Sequence, residues 1–420
     1  MARGRRPLRS VAPHVGRRGA GSGALELLSH LAANKLEGVE SDRAHQIVCC
    51  NEDGQLVGDG ILFRFGPKEF FICRAPFVVN WIRFHAEMSD LDVETTVDER
   101  SPVCANGHGN ERRFCRFQIQ GPQAWALIEK LNGGALEDVK FFHTTETNIG
   151  KHRVNALRHG MAGAPGLEIW TSWELRDQIR DTIIEAGQEF GLVLVGALAY
   201  LTSGVESGWI QAVLPGIYSG ESTRAYREWL PASELERRWR LTGSYDSPNV
   251  EDYYRTPYGV GYQHIVNLEH EFIGRDALAA VDPSTERKKV TLVWEPEDAA
   301  QILTTMLTPD GANVKPLHLP IMADKVDSNY DRLTVGDELV GIGHYTTYTA
   351  NDRAIITLST VDPDVSLGNE VVLHWGDVGG GVAPRDVPAD DITEIRAVVS
   401  PVPYSPVARE AYAVGWRGNS

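Results

Sequence analysis

The chain has 420 residues, of which 42% are hydrophobic and 23% are charged, a balance typical of a globular protein with two or three domains. Its net charge of −16 disfavours nucleic acid and anionic membrane as partners, and no apolar run approaches the length that spans a bilayer. The five cysteines form no Cys-x-x-Cys pair, so we expect neither a disulfide framework nor a zinc site, and a reducing cytoplasm fits best.

The first 22 residues differ in composition from the rest of the chain. They are rich in Arg and Gly, and residues 1–20 hold six Arg and no acid. They carry no amphipathic period, and they lack the apolar core of a secretory signal. We interpret residues 1–22 as an atypical segment, whose composition by itself fits a divergent, disordered N-terminus.

The region that follows has the patterns of regular secondary structure. It has leucines at helical spacing, apolar runs on either side of a Gly-Pro turn, and a segment in which apolar and polar residues alternate. They predict a helix at 24–35, strands at 61–65 and 69–73, a helix at 80–88 and a strand at 90–98.

The next region alternates between strand and helix patterns. A Gly-Pro pair precedes one of its helices, in keeping with the preference of Pro for the first turn. The predicted elements are a polar loop at 101–113, a strand at 114–120 and helices at 123–131 and 174–190. This alternation indicates an α+β, ferredoxin-like sandwich.

From residue 286 onward the chain changes to short apolar segments separated by Gly, Pro and Asp. Such segments are typical of strands joined by tight turns. The predicted strands are 290–295, 353–358, 370–375 and 392–399. They indicate a small β-barrel or Greek-key domain.

Two stretches near the middle each place an ionisable group among apolar and small residues. In Met-Ala-Gly-Ala-Pro-Gly-Leu-Glu-Ile-Trp, residues 161–170, Glu168 stands between Leu and Ile. Burying a lone carboxylate costs several kcal/mol, so Glu168 needs N–H donors from a heterocycle, a strand end or Arg158. In residues 196–209, Tyr200 is expected in a buried helix turn, where an ordinary core Tyr with one hydrogen bond is the alternative.

Together with Glu251-Asp-Tyr-Tyr-Arg-Thr-Pro-Tyr and Phe272-Ile-Gly-Arg-Asp-Ala-Leu, these stretches resemble the glycine-cleavage T-protein (aminomethyltransferase) superfamily. Over residues 24–412 the chain looks like the tetrahydrofolate-dependent aromatic O-demethylases of that superfamily, which act on vanillate and syringate. The resemblance implies an α+β fold, with two ferredoxin-like domains and a C-terminal β-barrel or Greek-key domain around a central folate channel. The implied domains are a discontinuous folate-binding domain at 23–90 and 191–284, a second α+β domain at 91–190 and a β-domain at 285–412.

The resemblance implies roles for four residues. Tyr200, nine residues before Trp209, matches a functional Tyr that assists departure of the phenolate. Glu168 matches the carboxylate that binds the pterin, and Trp209 would give the folate a flat wall or simply fill the core. Arg74 matches an Arg that binds the carboxylate of a benzoate, although an Arg at a strand end is often only solvated or paired. Cys73 stands where these demethylases have Gly.

Three other polar residues receive no role in catalysis. Asp59 falls near the acidic position that aminomethyltransferases place next to folate, but it fits a turn cap equally well. His159 and His264 are isolated and lack metal-ligand spacing, so we interpret both as structural.

The resemblance also bears on residues 1–22. In the O-demethylases, a loop that reads roughly Asp-Gln-Ser-x-His-Met precedes the first helix and supplies a His to the active site. Codons can be chosen for residues 9–21 such that a one-nucleotide shift reads as that loop. We therefore expect a shifted frame in this segment, with a disordered N-terminus as the alternative.

The implied function is a tetrahydrofolate-dependent O-demethylase of lignin-derived aromatics, which transfers the methyl group of vanillate, syringate or 3-O-methylgallate to tetrahydrofolate. The first alternative is an aminomethyltransferase or another folate-dependent demethylase of a small methyl donor. The second is a folate-binding protein that is inactive because it lacks the N-terminal loop. We expect a monomer or weak homodimer with no bound metal, nucleic acid or membrane.

Overall fold

The computed structural model describes residues 23–36, 42–64, 66, 68–73, 76–95, 114–160, 164–210, 213–320, 327–378 and 390–411. The α-helices are α1 Gly23–Leu31, α2 Pro76–Met88, α3 Ala124–Asn132, α4 Arg176–Gly187, α5 Ala197–Glu206, α6 Arg224–Trp229, α7 Arg275–Ala280 and α8 Pro296–Met306. The strands are β1 His45–Cys50, β2 Leu56–Arg64, β3 Phe70–Cys73, β4 Phe114–Gln120, β5 Thr144–Ile149, β6 His152–Leu157, β7 Gly166–Ser172, β8 Arg240–Thr242, β9 Lys288–Trp294, β10 Asp327–Asn329, β11 Asp331–Val335, β12 Glu338–Thr349, β13 Ala354–Val361, β14 Glu370–Trp375 and β15 Thr393–Ser400. None of the helices in these ranges is long and apolar enough to cross a membrane.

The first sheet is antiparallel, with the strand order β1-β2-β3. The predicted hairpin is confirmed, because β2 and β3 pair with Arg64 opposite Phe70. One face of this sheet packs against α1 and α2 through a buried core that includes Ile47, Leu62 and Ile72. These side chains lie on one face because neighbours across an antiparallel ladder point to the same side.

Helix α1 is shorter than predicted, and α2 is longer. Leu27, Leu28 and Leu31 are buried at the helical spacing that predicted α1. The helix ends at Leu31 because the next residues pair with β1: the N–H of Ala33 donates to the carbonyl oxygen of Val48 at 2.8 Å. Helix α2 begins at residue 76, ahead of the predicted residue 80, because Pro suits the first position of a helix.

The strand predicted at 90–98 is wrong for residues 90–95, which form no strand. The apolar side chains of Leu91 and Val93 pack beside α1, close to Gly23, instead of joining a sheet. Their alternation therefore reflects burial of a bend against a helix. Residues 96–100, like the predicted loop at 101–113, lie outside the described residues.

The second sheet is also antiparallel, with the order β4-β7-β6-β5. Strand β4 has the predicted bounds, and the predicted helix at 174–190 is confirmed as α4 with a short 3-10 turn at each end. Helices α3 and α4 cover one face through residues that include Leu127, Ile169 and Ile179. Strands β5, β6 and β7 follow one another along the chain with no helix between them. Helix α3 therefore follows β4, and α4 follows β7.

The C-terminal region contains a closed barrel with the strand order β11-β12-β13-β9-β15-β14. The predicted β-barrel is thereby confirmed. Trp294, Leu373 and Trp375 lie in its buried core. Helix α8 was not predicted from the sequence, and it packs onto the barrel through Ala299 and Ile302.

The other face of the first sheet joins the remaining parts of the molecule. Val48 lies in one buried cluster with Tyr262 and with Leu358 of the barrel. Phe63 packs against Trp170 of the second sheet, with ring centroids 5.3 Å apart. The fold is therefore of the predicted α+β class, and the first sheet is covered on both faces. The domain boundaries given above stay a prediction.

Candidate active site

The candidate site lies between the facing sides of the first and second sheets. Cys73 pairs with Ile61 across the β2–β3 ladder, so Cys73 and Asp59 lie on the same face of the first sheet. On the second sheet, the face away from α3 and α4 carries Arg116 and Glu168. A contact between the Arg116 guanidinium and the sulfur of Cys73 joins the two faces.

Glu168 is the carboxylate of the site and is buried, with 8% of its surface exposed. Its Oε2 forms an ion pair with Nη2 of Arg116, and its Oε1 lies 3.4 Å from Nδ1 of His159. Burial alone would raise the pKa of Glu168, but Arg116 and His159 outweigh burial and hold the pKa at about 2. The alternative partner Arg158 instead donates to the carbonyl oxygen of Val139 at 2.8 Å.

Arg116 contacts three parts of the site. Besides Glu168 and Cys73, its guanidinium lies within electrostatic range of the Tyr200 phenol. Burial opposes the charge of Arg116, but Cys73, Glu168 and Tyr200 together raise its pKa above the ordinary value. The guanidinium is therefore charged at any pH at which the protein is folded.

Gln118 faces Glu168 directly across the β4–β7 ladder. Its side-chain Nε2 is buried and has no hydrogen-bond partner in the part of the chain that the structure describes. Buried amide groups in proteins nearly always have partners, and an unpaired one costs about 1–3 kcal/mol. This free donor beside a carboxylate is the kind of feature that a bound ligand satisfies.

Tyr200 lies on α5 and is half-buried. The buried helix turn expected from the sequence is wrong in part, because Leu198 on the same helix is 64% exposed. The helix is anchored to the barrel by a hydrogen bond of 2.9 Å between the hydroxyls of Thr202 and Thr347. Tyr200 therefore stands on a helix that the barrel supports, with its phenol within electrostatic range of Arg116.

Trp209 takes part in a hydrogen-bond network that reaches the first sheet. Its indole Nε1 donates to the hydroxyl of Tyr262 at 3.0 Å, and that hydroxyl donates to Oδ2 of Asp59 at 3.0 Å. The Nε2 of Gln46 donates to the same Asp59 oxygen at 2.7 Å. Asp59 is buried and does not act as an exposed turn cap.

Of the four residues assigned from the sequence, the structure brings Glu168 and Tyr200 together around Arg116, and it places Trp209 in the network of Asp59. Arg74 lies outside the described residues, directly after Cys73 at the end of β3. No group of three His, Cys, Asp or Glu among the described ranges is arranged to hold a metal ion.

Sequence reasoning missed several polar residues of this site. The strand at 114–120 reads Phe-Cys-Arg-Phe-Gln-Ile-Gln, and its polar residues at every second position indicate one polar face. That signal could have found Arg116 and Gln118. His159, interpreted above as isolated, instead contacts Glu168. Tyr262 carries no comparable signal in its own segment.

Comparisons with known proteins agree on one family. The profile of the GCVT N-terminal domain matches residues 17–213. The chain is 35% identical over 399 residues to the syringate O-demethylase of Sphingobium sp., covering 94% of this chain and 85% of that protein. It is 26% identical to the sesamin methylene transferase of Sinomonas sp., covering 91% and 82%. The crystal structure of glycine cleavage system aminomethyltransferase T from Bartonella henselae has the same fold, with a TM-score of 0.58 at 15% identity over 94% of this chain and 84% of that one.

Proposed function

Because the chain belongs to the T-protein superfamily and, within it, to the folate-dependent O-demethylases, we propose that it transfers the methyl group of a methoxylated benzoate to tetrahydrofolate. The substrate class is that of vanillate, syringate and 3-O-methylgallate. The products are the corresponding phenol and 5-methyltetrahydrofolate. The observation that carries this proposal is the buried Glu168 carboxylate with the unpaired amide of Gln118 beside it.

This pair of side chains fits one edge of a pterin. A carboxylate has about four lone-pair positions, and Arg116 and His159 occupy two of those of Glu168. Two positions remain for the N–H donors of an aminopyrimidine edge. Gln118 then offers its free N–H to the ring carbonyl beside those donors. Because the two residues are opposite neighbours across an antiparallel ladder, both reach the same planar edge.

Trp209 and Tyr200, which belong to the other predicted domain, would complete the site. Trp209 is held by Tyr262 in a fixed orientation and offers an apolar face to a flat ring. Tyr200 would donate a proton to the ether oxygen, so that a neutral phenol departs instead of a phenolate. Tetrahydrofolate supplies N5 as the methyl acceptor. The proposed site therefore spans the predicted domains, with Glu168 in 91–190 and the other two residues in 191–284.

The aromatic acid is the part of the proposal that rests on Arg74 and on the relatives. The relative from Sphingobium sp. is a syringate O-demethylase. A planar guanidinium binds a carboxylate through two parallel hydrogen bonds. Arg74 directly follows Cys73 in the sequence, and Cys73, at the end of β3, lies in the site because its sulfur contacts Arg116.

The proposal is tested by turnover of syringate, vanillate and the amide of syringate, with and without tetrahydrofolate, following 5-methyltetrahydrofolate by mass spectrometry. We expect folate-dependent demethylation of the acids and a much higher KM for the amide.

Tyr200→Phe should lower kcat by roughly 10²- to 10⁴-fold, the usual loss for a general acid. Tyr348→Phe is the matched control, because Tyr348 is 48% exposed on the barrel. Absence of 5-methyltetrahydrofolate from all three substrates would refute the function, and unchanged kcat in Tyr200→Phe would remove Tyr200 from the chemistry.

A further inference from the structure

Arg116 connects two strands that are far apart in the chain. Its Nη2 pairs with Glu168, which is 52 residues away on β7, and its Nη1 contacts the sulfur of Cys73, which is 43 residues away on β3. The two side chains of the ion pair are 14% and 11% exposed. A guanidinium held at both ends in this way has little freedom to rotate, so it fixes the carboxylate that it contacts.

The charges around Glu168 differ in how they respond to pH. Arg116 faces it from β4, and His159 faces it from the residues after β6. The sulfur of Cys73 contacts the guanidinium of Arg116 from β3, and the Tyr200 phenol on α5 lies within electrostatic range of it. An imidazole is charged only when protonated, whereas a guanidinium is charged at every physiological pH. Arg116 is thus the partner that can keep Glu168 ionised in neutral solution.

We propose that Arg116 is a positioning residue of the folate site, which fixes the Glu168 carboxylate against β3 and keeps it ionised so that it can accept the N–H donors of folate. The inference rests on the proposed function, because it takes Glu168 to be the folate-binding carboxylate. Without Arg116, burial would dominate and Glu168 would take up a proton as the pH falls. A protonated carboxyl accepts fewer hydrogen bonds, so the affinity for folate would become dependent on pH.

The experiment measures the Kd of 5-methyltetrahydrofolate by isothermal titration calorimetry from pH 5.5 to 8. The proteins are the wild type, Arg116→Gln, Arg116→Lys and Glu168→Gln. We expect the wild type to bind with nearly constant affinity. Arg116→Gln should bind more weakly as the pH falls and should approach the affinity of Glu168→Gln, roughly ten- to a hundredfold below the wild type. Glu168→Gln should be weak at every pH.

Arg116→Lys separates charge from positioning. It keeps the positive charge, so its affinity should stay independent of pH, but an ammonium cannot contact both Glu168 and Cys73 as the planar fork does. We therefore expect a uniformly weaker Kd. Wild-type affinity in Arg116→Lys would overturn the positioning role, even if Arg116→Gln fails to fold. The four proteins are repeated with His159→Gln, which removes the imidazole that also contacts Glu168.

Arg153→Gln is the matched control on the same sheet. Arg153 pairs with Glu146, and their side chains are 72% and 52% exposed. This variant should keep the wild-type Kd at each pH. Parallel pH profiles for Arg116→Gln and the wild type would overturn the inference. Wild-type affinity in Glu168→Gln would instead show that the folate site of the proposed function is misplaced, and turnover would still test the reaction itself.

Discussion

At the scale of single residues, Tyr262 determines the direction of a hydrogen-bond network. An indole N–H can only donate, so the Tyr262 oxygen must accept from Trp209 and its own proton must point to Asp59. Asp59 therefore serves as an acceptor for both Tyr262 and Gln46. One phenol thus sets the orientation of an aromatic ring and the position of a buried carboxylate.

Tyr262→Phe should remove both of these hydrogen bonds while keeping the buried ring. We expect a loss of roughly 1–3 kcal/mol in the free energy of unfolding, because the buried Asp59 and the half-buried Trp209 each lose a partner. Urea denaturation followed by circular dichroism measures this change. Tyr348→Phe on the barrel surface is the control, and equal stabilities for the two variants would contradict the network.

Glu168 and its partner Arg116 differ in how far the sequence predicts them. Glu168 could be singled out because a carboxylate between Leu and Ile demands a partner. The identity of that partner could not be read, because Arg116 meets Glu168, 52 residues away, only once β4 pairs with β7. It meets Cys73, 43 residues away, only where the two sheets face each other. A period-two pattern marks a polar face but does not say which face of another sheet it will meet.

At the scale of elements, the sequence predicted the bounds of a helix or strand best where that element has a clear periodicity of its own. Strand β4 and the helix at 174–190 follow from alternation and from helical spacing. The strand prediction is wrong at residues 90–95 because Leu91 and Val93 are partly buried against a helix, which produces the same alternation. The sequence indicated a barrel or Greek key, but it predicted neither β11 nor β12, and the six-stranded closure depends on pairings between distant strands.

The start of β11 carries a buried polar cluster near the barrel. Lys315 Nζ lies 2.9 Å from Oδ1 of Asp377 and 3.1 Å from Oδ1 of Asn329. Asn329 in turn donates to Asp331 at 2.7 Å. Asp331 is fully buried, and burial raises its pKa to about 6 despite the opposing effects of Lys315 and Asn329.

This cluster should make stability depend on pH. The pKa of Asp331 in the folded protein lies above the ordinary value of 3.8. Its stabilising contribution to the free energy of unfolding is therefore present below about pH 4 and is lost as the pH rises to about 6. Asp331→Asn mimics the neutral form. The free energy of unfolding of the variant minus that of the wild type should therefore rise by roughly 3 kcal/mol between pH 4 and 7. Urea denaturation at several pH values tests this, with Asp337→Asn in the exposed turn as control. A difference that stays constant with pH would contradict it.

At the scale of the whole molecule, a shared core links the barrel to the candidate site. Leu358 of β13 lies in the same buried cluster as Val48 of the first sheet and Tyr262. Leu373 of β14 lies in the separate core inside the barrel. Both leucines are fully buried, so they differ in location and not in exposure.

Leu358→Ala and Leu373→Ala should each lower the free energy of unfolding by about 2–5 kcal/mol, the usual cost of a Leu cavity. Only Leu358→Ala should also weaken binding of 5-methyltetrahydrofolate, because the core that it loosens also includes Tyr262 and Val48 of the first sheet. Denaturation and calorimetry on the two variants measure both effects. Equal binding losses would show that the site responds to general destabilisation instead of to this core.

The order of strands in the barrel has a consequence for how the protein is made. Strand β9 pairs with β13 on one side and with β15 on the other. Since β15 ends at residue 400, a ribosome must extrude more than one hundred residues after β9 before that second edge is covered. Until then the nascent chain presents an unpaired strand that includes Leu292 and Trp294, a surface to which other chains can add. Translation speed across this stretch, and chaperones that hold it, should therefore govern the yield of native enzyme in the cell.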